Sequence, residues 1–361
     1  MTLRVAITYN LKKTPPKGLP EDFYAEFDSE DTINSIKRAL EKGGFRVIKI
    51  EADEKAYLKF KKYRPDFVFN MAEGLRGKNR ESHIPAMLEV LEIPYTGSDP
   101  STLSIGLNKA MTKEILMHNK IPTAPFQVFY KPDEKLSRKV SFPIIVKPLY
   151  EGSSKGIKND SVVRNEKELR KKLSEVIGIY EQPALVENFL DGREFTVAVI
   201  GNEDPVVLPI RELVFDDLPE GANPIYSYEA KWVWDTPEHP IHIGVCPAKI
   251  PNHTKRRIEK IALETYKALG CRDLCRIDIR LGKRNRPYVL EVNPLPGIPP
   301  RPEDHGCLPG IWYSMNLQYE QLINTVMYHA MKRYGIENGL KEPLIINDLR
   351  KYTKVKHRRN N

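Results

Sequence analysis
Two short segments carry side chains that could act together on a cation. CRIDIR (275–280) and YVLEVN (288–293) both alternate apolar and polar residues. Side chains two apart on a strand face the same way. Arg276 and Asp278 therefore share one face, as do Glu291 and Asn293. If the two strands pair as a hairpin around GKRNRP, two carboxylates, an amide oxygen and a guanidinium gather in one small area. Hard oxygen donors in that number suit Mg²⁺, which completes its shell with water and substrate phosphates. Either strand alone reads as a polar surface with an incidental salt bridge. The pairing, together with the Pro-Leu-Pro-Gly stop directly after Asn293, favours a metal site.

A second constellation is FPIIVKPLYEGSSKGI (142–157). An apolar run delivers Lys147, and a loop with Gly152, Ser153, Ser154 and Gly156 follows. Such loops can wrap phosphate oxygens with N–H groups while a lysine supplies a point charge, although a lone glycine-serine loop is more often a surface turn. The G-x-x-x-x-G-K-[ST] and G-x-G-x-x-G patterns are absent, so ATP binding here would need another fold. In ALVENFLDGREFTV (184–197), Glu187 and Glu194 flank a turn. Glu187 and the backbone after it could read an adenine edge and a ribose, or the acids could simply be solvated. In IYSYEAKWVW (225–234), Lys231 among aromatics is either a shielded phosphate binder or a side chain snorkelling over core rings.

The elements that must position these residues alternate. RVAIT (4–8), FRVIKIE (45–51) and PDFVFN (65–70) read as strands. Between the first two, SEDTINSIKRALEKGG reads as a helix capped by Ser29, with Ile33, Ile36 and Leu40 on its apolar face and Gly43 or Gly44 stopping it. This β-α-β rhythm indicates a parallel sheet. A helix near ESHIPAMLEVLE leads to the turn IPYTGSDP, and SIGLNKAMTKEILMHNK reads as one further helix closed off by Pro122. Beyond it, QVFY and FPIIVKP are strands, RNEKELRKKLSEVI is a charged helix, and ALVENFL, REFTVAVIG and EDPVVLPIREL have hairpin-like spacing. The last helix lies near 316–334.

At 361 residues the chain suits two or three domains. Its 40% hydrophobic and 29% charged content is ordinary for a globular protein. No run approaches the roughly 20 apolar residues of a membrane span, and MTLRVAITYN reads as a first strand rather than a signal peptide. Cys246, Cys271, Cys275 and Cys307 lack metal spacing and read as reduced cytoplasmic thiols. The formal charge of +9 is spread along the chain, with one basic cluster in the terminal KYTKVKHRRNN. A balance of this kind suits an enzyme handling polyanionic phosphates as well as a nucleic-acid binder, whose affinity would depend steeply on salt.

Taken in order, IPYTGSDP…LNKAMTKEIL, FPIIVKPLYEGSSKGI, VENFLDGREFTVAV, YSYEAKW with a following CPA, CRIDIR and LEVNPLPG resemble the ATP-grasp superfamily, and within it the D-alanine–D-alanine ligase family. The resemblance runs from residue 93 to 297. It implies an α/β fold with three domains: an N-terminal parallel-sheet domain (1–105), a central lid domain (106–183) and a C-terminal catalytic domain (184–345), with a basic tail (346–361). Nucleotide would lie between the last two domains. The implied activity joins a carboxylate to an amine through an acyl phosphate, using ATP and Mg²⁺, with Mn²⁺ as a substitute. Position by position, Lys109 and Lys147 resemble the two lysines that hold ATP phosphates, and residues 151–156, with Glu151, Gly152, Ser153 and Ser154, resemble the lid over them. Glu187, Leu190 and Glu194 fall where the family binds adenine and ribose. Lys231 matches a phosphate-contacting lysine, Arg276 the arginine that steadies the tetrahedral intermediate, and Asp278, Glu291 and Asn293 the magnesium ligands. Small amino acids or peptides would be the substrates, in the cytoplasm, without nucleic-acid or membrane partners. The family often forms dimers, which makes a homodimer the oligomeric expectation.

The departures concern the amino-acid end. The family's loop serine is matched by Ser153, but its tyrosine is replaced by Trp232. The acid that holds the first amino group has three candidates, Glu26, Glu30 and Asp31. NMAEGLRGKNRESH lacks the usual His-Gly-x-x-Gly-Glu-Asp order. After Gly297 the run GIPPRPEDHGCLPG replaces the family's Ser-Leu pair, and Arg301 is the expected substitute for holding the second substrate's carboxylate, since a guanidinium binds carboxylates bidentately. None of these departures touches the residues that resemble the family's ATP and magnesium positions.

Overall fold
A computed structural model describes residues 2–234, 241–301, 304, 306–336 and 348–353. Three sheets organise the chain. In the first, β1 (Arg4–Tyr9), β2 (Arg46–Glu51) and β3 (Phe67–Asn70) run parallel in the order β2-β1-β3. Helices α1 (Glu30–Lys42), α2 (Ala56–Tyr63) and α3 (His83–Val90) belong to this unit. The Ser29 side chain accepts from the Thr32 N–H at 3.1 Å, Glu30 and Asp31 sit in the positive first turn, and Ile33, Ile36 and Leu40 are buried.

The expected single helix after the 93–100 turn is two: α4 (Pro100–Leu107) and α5 (Lys109–His118). Asn108 breaks it. Its backbone is extended (φ −88°, ψ 95°), and its side chain caps α5 by accepting from the Met111 N–H at 3.1 Å. The Lys109 N–H leaves the helix pattern and donates to the Leu149 carbonyl at 3.3 Å. The break lets α5 start at the lysine itself.

The second sheet is antiparallel, with β4 (Phe126–Phe129), β5 (Ile144–Pro148), β6 (Val162–Val163) and β7 (Ala184–Asn188) in the order β4-β7-β5-β6. Leu169, Leu173 and Val176 of α6 (Glu166–Tyr180) pack on its apolar face with Phe129, Val146 and Val186. The sequence reading placed β7 with the third unit, but it hydrogen-bonds to both β4 and β5. The middle sheet therefore extends past residue 183.

The third sheet contains β8 (Glu194–Ile200), β9 (Val206–Val207), β10 (Arg211–Leu213), β11 (Gly244–Val245), β12 (Leu274–Gly282) and β13 (Arg286–Asn293). Its order is β11-β10-β8-β12-β13, with β9 on β8. A short helix, α7 (Tyr228–Trp232), lies between β10 and β11, and α8 (Asn252–Ala268) covers the apolar face.

Helices α9 (Cys307–Tyr313) and α10 (Tyr319–Arg333) return the chain to the first unit, and α11 (Arg350–Thr353) follows. Residues 348–353 are the described part of the expected basic tail; its other residues lie outside the described ones. One core joins Val5, Ile36 and Phe67 of the first unit to Trp312, Leu322 and Val326. Asn324 donates to the Ala39 carbonyl at 2.9 Å. Buried Asp273, just before β12, accepts from the Gly97 N–H at 2.7 Å and pairs with Arg333 at 2.9 Å. The first and third units thus share both a core and a buried ion pair. Leu322→Ala should cost about 2–5 kcal/mol by leaving a cavity in that core. Urea unfolding followed by circular dichroism should show the transition of the first and third units moving to lower urea, because both units bury residues in that core.

Candidate active site
Strands β12 and β13 pair in antiparallel register, with Arg276 opposite Asn293 and Asp278 opposite Glu291. The register then slips between Asp278 and Ile279, so that Ile279 pairs with Val289 and Leu290 is the extra residue of a bulge. A bulge re-aims side chains. Here it lets the consecutive residues Leu290 and Glu291 both line a cavity of about 420 Å³. Strands β5 and β7 supply other walls through Lys147 and Glu187, and the first unit supplies Glu26 and Glu73.

Charge on the β12–β13 face is balanced locally. Arg276 contacts Asp278 Oδ2 through Nη2 at 3.1 Å and Nε at 3.2 Å, and the Thr196 hydroxyl donates to Asp278 Oδ1 at 2.8 Å. Lys109, at the start of α5, places Nζ 2.7 Å from Glu291 Oε1 and also donates to the Glu151 carbonyl. Burial alone would push the Glu291 carboxyl up, but Lys109, Lys147 and Arg276 outweigh it and hold it at about 2. Asn293 Oδ1 accepts from the Leu295 N–H at 3.0 Å, which fixes the amide oxygen. Among the described residues no group of three or more His, Cys, Asp and Glu is set for a metal. Two carboxylates and an amide oxygen nonetheless fit a Mg²⁺ that also uses phosphate and water oxygens.

Glu187 is buried and takes a lysine on each oxygen: Lys147 on Oε1 and Lys113 on Oε2, the latter at 2.5 Å. Burial would raise this carboxyl, and the two lysines pull it below its ordinary value. Glu194 pairs with Arg280 at 2.9 Å. Arg280 also donates to the Gly192 and Pro224 carbonyls at 3.0 and 2.7 Å and lies over the Phe189 ring. Leu190, with Ile145, Leu213 and Ile225, gives this part of the cavity an apolar lining.

The 151–156 loop is held by the first unit. Glu26 accepts from Arg80 at 2.8 Å and from the Gly152 N–H at 2.7 Å. A Cβ on Gly152 would sit 2.8 Å from Glu26 Oε1, so any larger residue here would push the Glu26 carboxylate aside. Asp22 accepts from the Gly156 N–H at 2.9 Å and from the Tyr180 hydroxyl at 2.6 Å. Ser153 and Ser154 have left-handed backbones (φ 49° and 62°) and line the cavity. Glu151 does not line it; this side chain turns to Lys155 at 2.6 Å and Arg80 at 3.1 Å.

At the remaining wall, Lys231 stands over the Trp232 and Tyr226 rings at 5.0 and 5.9 Å. Burial pulls its ammonium down to about 8. Lys12 stacks on Trp232 at 4.3 Å from the ring centroid. Gly297 lines the cavity, but Arg301 does not. Its guanidinium is half exposed and stands 3.2 Å from Asp304 and 3.5 Å from Asp31, because the Pro299–Pro300 turn carries it out toward the first turn of α1. This also separates the three candidate acids: Asp31 faces Arg301, Glu30 is exposed, and Glu26 lines the cavity.

The sequence reading did not single out Lys113, Arg280, Thr196 or Arg80. For three of them a signal existed. Lys113 follows Lys109 by four on one helix, Arg280 continues the 276–278 alternation, and Thr196 follows Glu194 by two. Arg80 opens a single 3-10 turn (Arg80–Ser82), too short for any periodicity to mark it.

The comparisons with known proteins agree with this fold. D-alanine–D-alanine ligases from Bacillus anthracis superpose with TM-scores of 0.69, for a structure complexed with ATP at 23% identity, and 0.70, for another at 25% identity. Each alignment covers 93% of this chain and all of the other. The fold is thus the three-domain ATP-grasp architecture. The family model for the D-ala D-ala ligase C-terminus matches residues 115–328, and the chain belongs to that family. D-alanine–D-alanine ligases of Carboxydothermus hydrogenoformans and Pelotomaculum thermopropionicum are 34% and 31% identical, over 82% and 84% of this chain and 91% and 92% of their own lengths. The uncharacterized protein y4sG of Sinorhizobium fredii is 31% identical over 90% of this chain and 92% of its own.

Arg80 is the buried cation on which Glu26 and Glu151 both depend. Removing one partner of such a pair leaves uncompensated buried charge, so Arg80→Ala should destabilise by about 3–5 kcal/mol. Hydrogen exchange at residues 150–156 should rise more than at the third sheet.

Proposed function
We propose that the chain is an ATP-dependent carboxylate–amine ligase that joins two amino acids, with D-alanine as the family's own substrate. The observation that carries this reading is the β12–β13 face: Asp278 opposite Glu291, Asn293 opposite Arg276, and Lys109 on Glu291, all at one cavity wall. A substrate carboxylate attacks the γ-phosphorus of ATP, the bond to the ADP oxygen breaks, and an acyl phosphate forms. The second substrate's amine then attacks that carbonyl carbon, the C–O bond to phosphate breaks, and the amine loses a proton.

Phosphoryl transfer needs positioning and charge neutralisation more than covalent help. Lys109 and Lys147 would hold phosphate oxygens, and the 151–156 loop would keep water from the acyl phosphate. Arg276 would steady the oxyanion that develops at the attacked carbonyl. Asp278, Glu291 and Asn293 would hold Mg²⁺, or Mn²⁺, which when bound neutralises phosphate charge. Glu187, Leu190 and Glu194 would line the adenine and ribose pocket, and Glu26 with Ser153 would receive the first amino group. A cytoplasmic setting and a homodimer complete the proposal. No helix among the described residues is long and apolar enough to cross a membrane, and all four cysteines are free.

One observation favours a second reading, ligation of other amino acids or of peptides. Asp28 and Glu73 line the same cavity as Glu26, and no described hydrogen bond or ion pair involves their side chains. Burial pushes the Asp28 carboxyl up to about 8, and burial with the nearby Glu81, Glu26 and Asp28 raises Glu73 well above its ordinary value. Two acids beyond the single one of the family pattern suit a substrate with a second amine.

A panel of D- and L-amino acids with ATP and Mg²⁺, read by phosphate release and product mass, tests both readings. The expected product mass is the sum of two substrates less one water. Phosphate release confined to alanine, with dipeptides added to the panel and silent, removes the second reading, and no release with any amino acid or dipeptide removes the ligase. Arg276→Ala should lower kcat by about 10²–10³, as loss of one oxyanion donor does, with a much smaller change in KM for ATP.

A further inference from the structure
We infer that Lys113 is a positioning residue for ATP: it shares the Glu187 carboxylate so that Lys147 keeps its positive charge available to a phosphate. The inference rests on the ATP-binding reading of the cavity. Glu187 and Lys147 line that cavity and Lys113 does not. The Lys113 side chain is only 1% exposed, and Nζ lies 2.5 Å from Glu187 Oε2. It also donates to Thr123 Oγ1 at 2.6 Å. The Thr123 hydroxyl spends its own proton on the Val289 carbonyl at 2.8 Å, so a lone pair faces Lys113. The ammonium is thereby tied to α5, to the segment before β4 and to β13 beside the bulge.

The charge count gives the reason for a second lysine. One carboxylate against one ammonium in a dry wall makes a neutral, tightly held pair. Lys147 would then face phosphate as a neutralised group. Two ammoniums on one carboxylate leave one net positive charge, and each oxygen holds a single lysine. A polyanionic phosphate supplies the missing negative charge. Burying an ammonium is costly unless it is paired, so a cation beyond reach of ligand needs a reason, and the sharing of Glu187 provides one. A hydrophobe of lysine's length would fill the same space without changing the charge.

The test uses the full chain with Mg²⁺, measuring ATP by calorimetry and inorganic tripolyphosphate, which has no adenine, by competition. Lys113→Met keeps the volume and should weaken both ligands about tenfold, with kcat at saturating ATP changed by no more than about threefold. Lys113→Arg should recover most of the loss. The decisive variant is Lys113→Met with Glu187→Gln. With no carboxylate left to hold Lys147, tripolyphosphate affinity should return to within about threefold of wild type, a coupling that a space-filling role would not produce. An unmoved tripolyphosphate affinity in Lys113→Met, or a double variant as weak as that single one, overturns the inference. Should Lys113→Met fail to fold, Lys113→Arg and the double variant carry the test, and tripolyphosphate loss in either overturns it. A wild-type chain that binds no ATP removes the nucleotide reading and the assignment with it, whereas wild-type binding with unmoved variants removes the assignment alone.

Discussion
The placing of Asp278 directly opposite Glu291 is the constraint around which the rest is arranged. Like charges facing each other across a strand pair are unfavourable. A sheet tolerates them when cations neutralise them, and three do. Arg276 comes from the same strand, Lys109 from the start of α5, and Lys147 from the end of β5. Each has a structural cost attached. Lys109 requires the helical break at Asn108, and Lys147 requires a second sheet whose strand ends at the face of the third. Seen this way, the interdomain geometry follows from one electrostatic debt on β12 and β13.

The same logic recurs at the next layer out. Lys147 brings Glu187, which brings Lys113. Lys109 reaches the Glu151 carbonyl, and the Glu151 carboxylate meets Arg80 and Lys155, which both meet Glu26. Buried charges of alternating sign therefore run from the β12–β13 face to the first unit. Such networks are costly when incomplete, because each removed partner strands another. The shared core of α1 and α10 holds the first and third units at the spacing the network needs. Packing sets the distance, and charge uses it.

The legible part of this protein was the part ruled by short periods. The β12–β13 face was readable because alternation on two strands is a period of two, and the register bore out the expected pairing. The β-α-β opening and the cap at Ser29 were readable for similar local reasons. What was not readable depends on single residues whose effect is decided by distant partners. Asn108 lies inside an unbroken helical pattern, and nothing local says that Leu149 will take the Lys109 N–H. The bulge at Leu290 follows Val289, and two adjacent apolar residues do not say which of them the pairing leaves out. Strand β7 continues directly toward β8 in sequence, and only its hydrogen bonds assign it to the middle sheet.

The amino-acid end resisted sequence reading for a different reason. Phosphates and a divalent ion need fixed charges at fixed spacings, so the residues proposed for them fall on strands and helix starts. A small amino acid needs a wall, and the wall proposed for it is assembled from cavity-lining loops of separate origin: Glu26 and Asp28 before α1, Glu73 after β3, Ser153 from the 151–156 loop, and Gly297 after β13. Loops carry specificity because they can change without disturbing the core. Arg301 illustrates the hazard. Its chemistry suits a carboxylate, but two prolines decide its direction, and it pairs with Asp31 and with the cavity-lining Asp304 without lining the cavity itself. Residue type alone nominates a binder. Only the path of the chain decides whether it faces the substrate, and at this end of the cavity that path has no period to read.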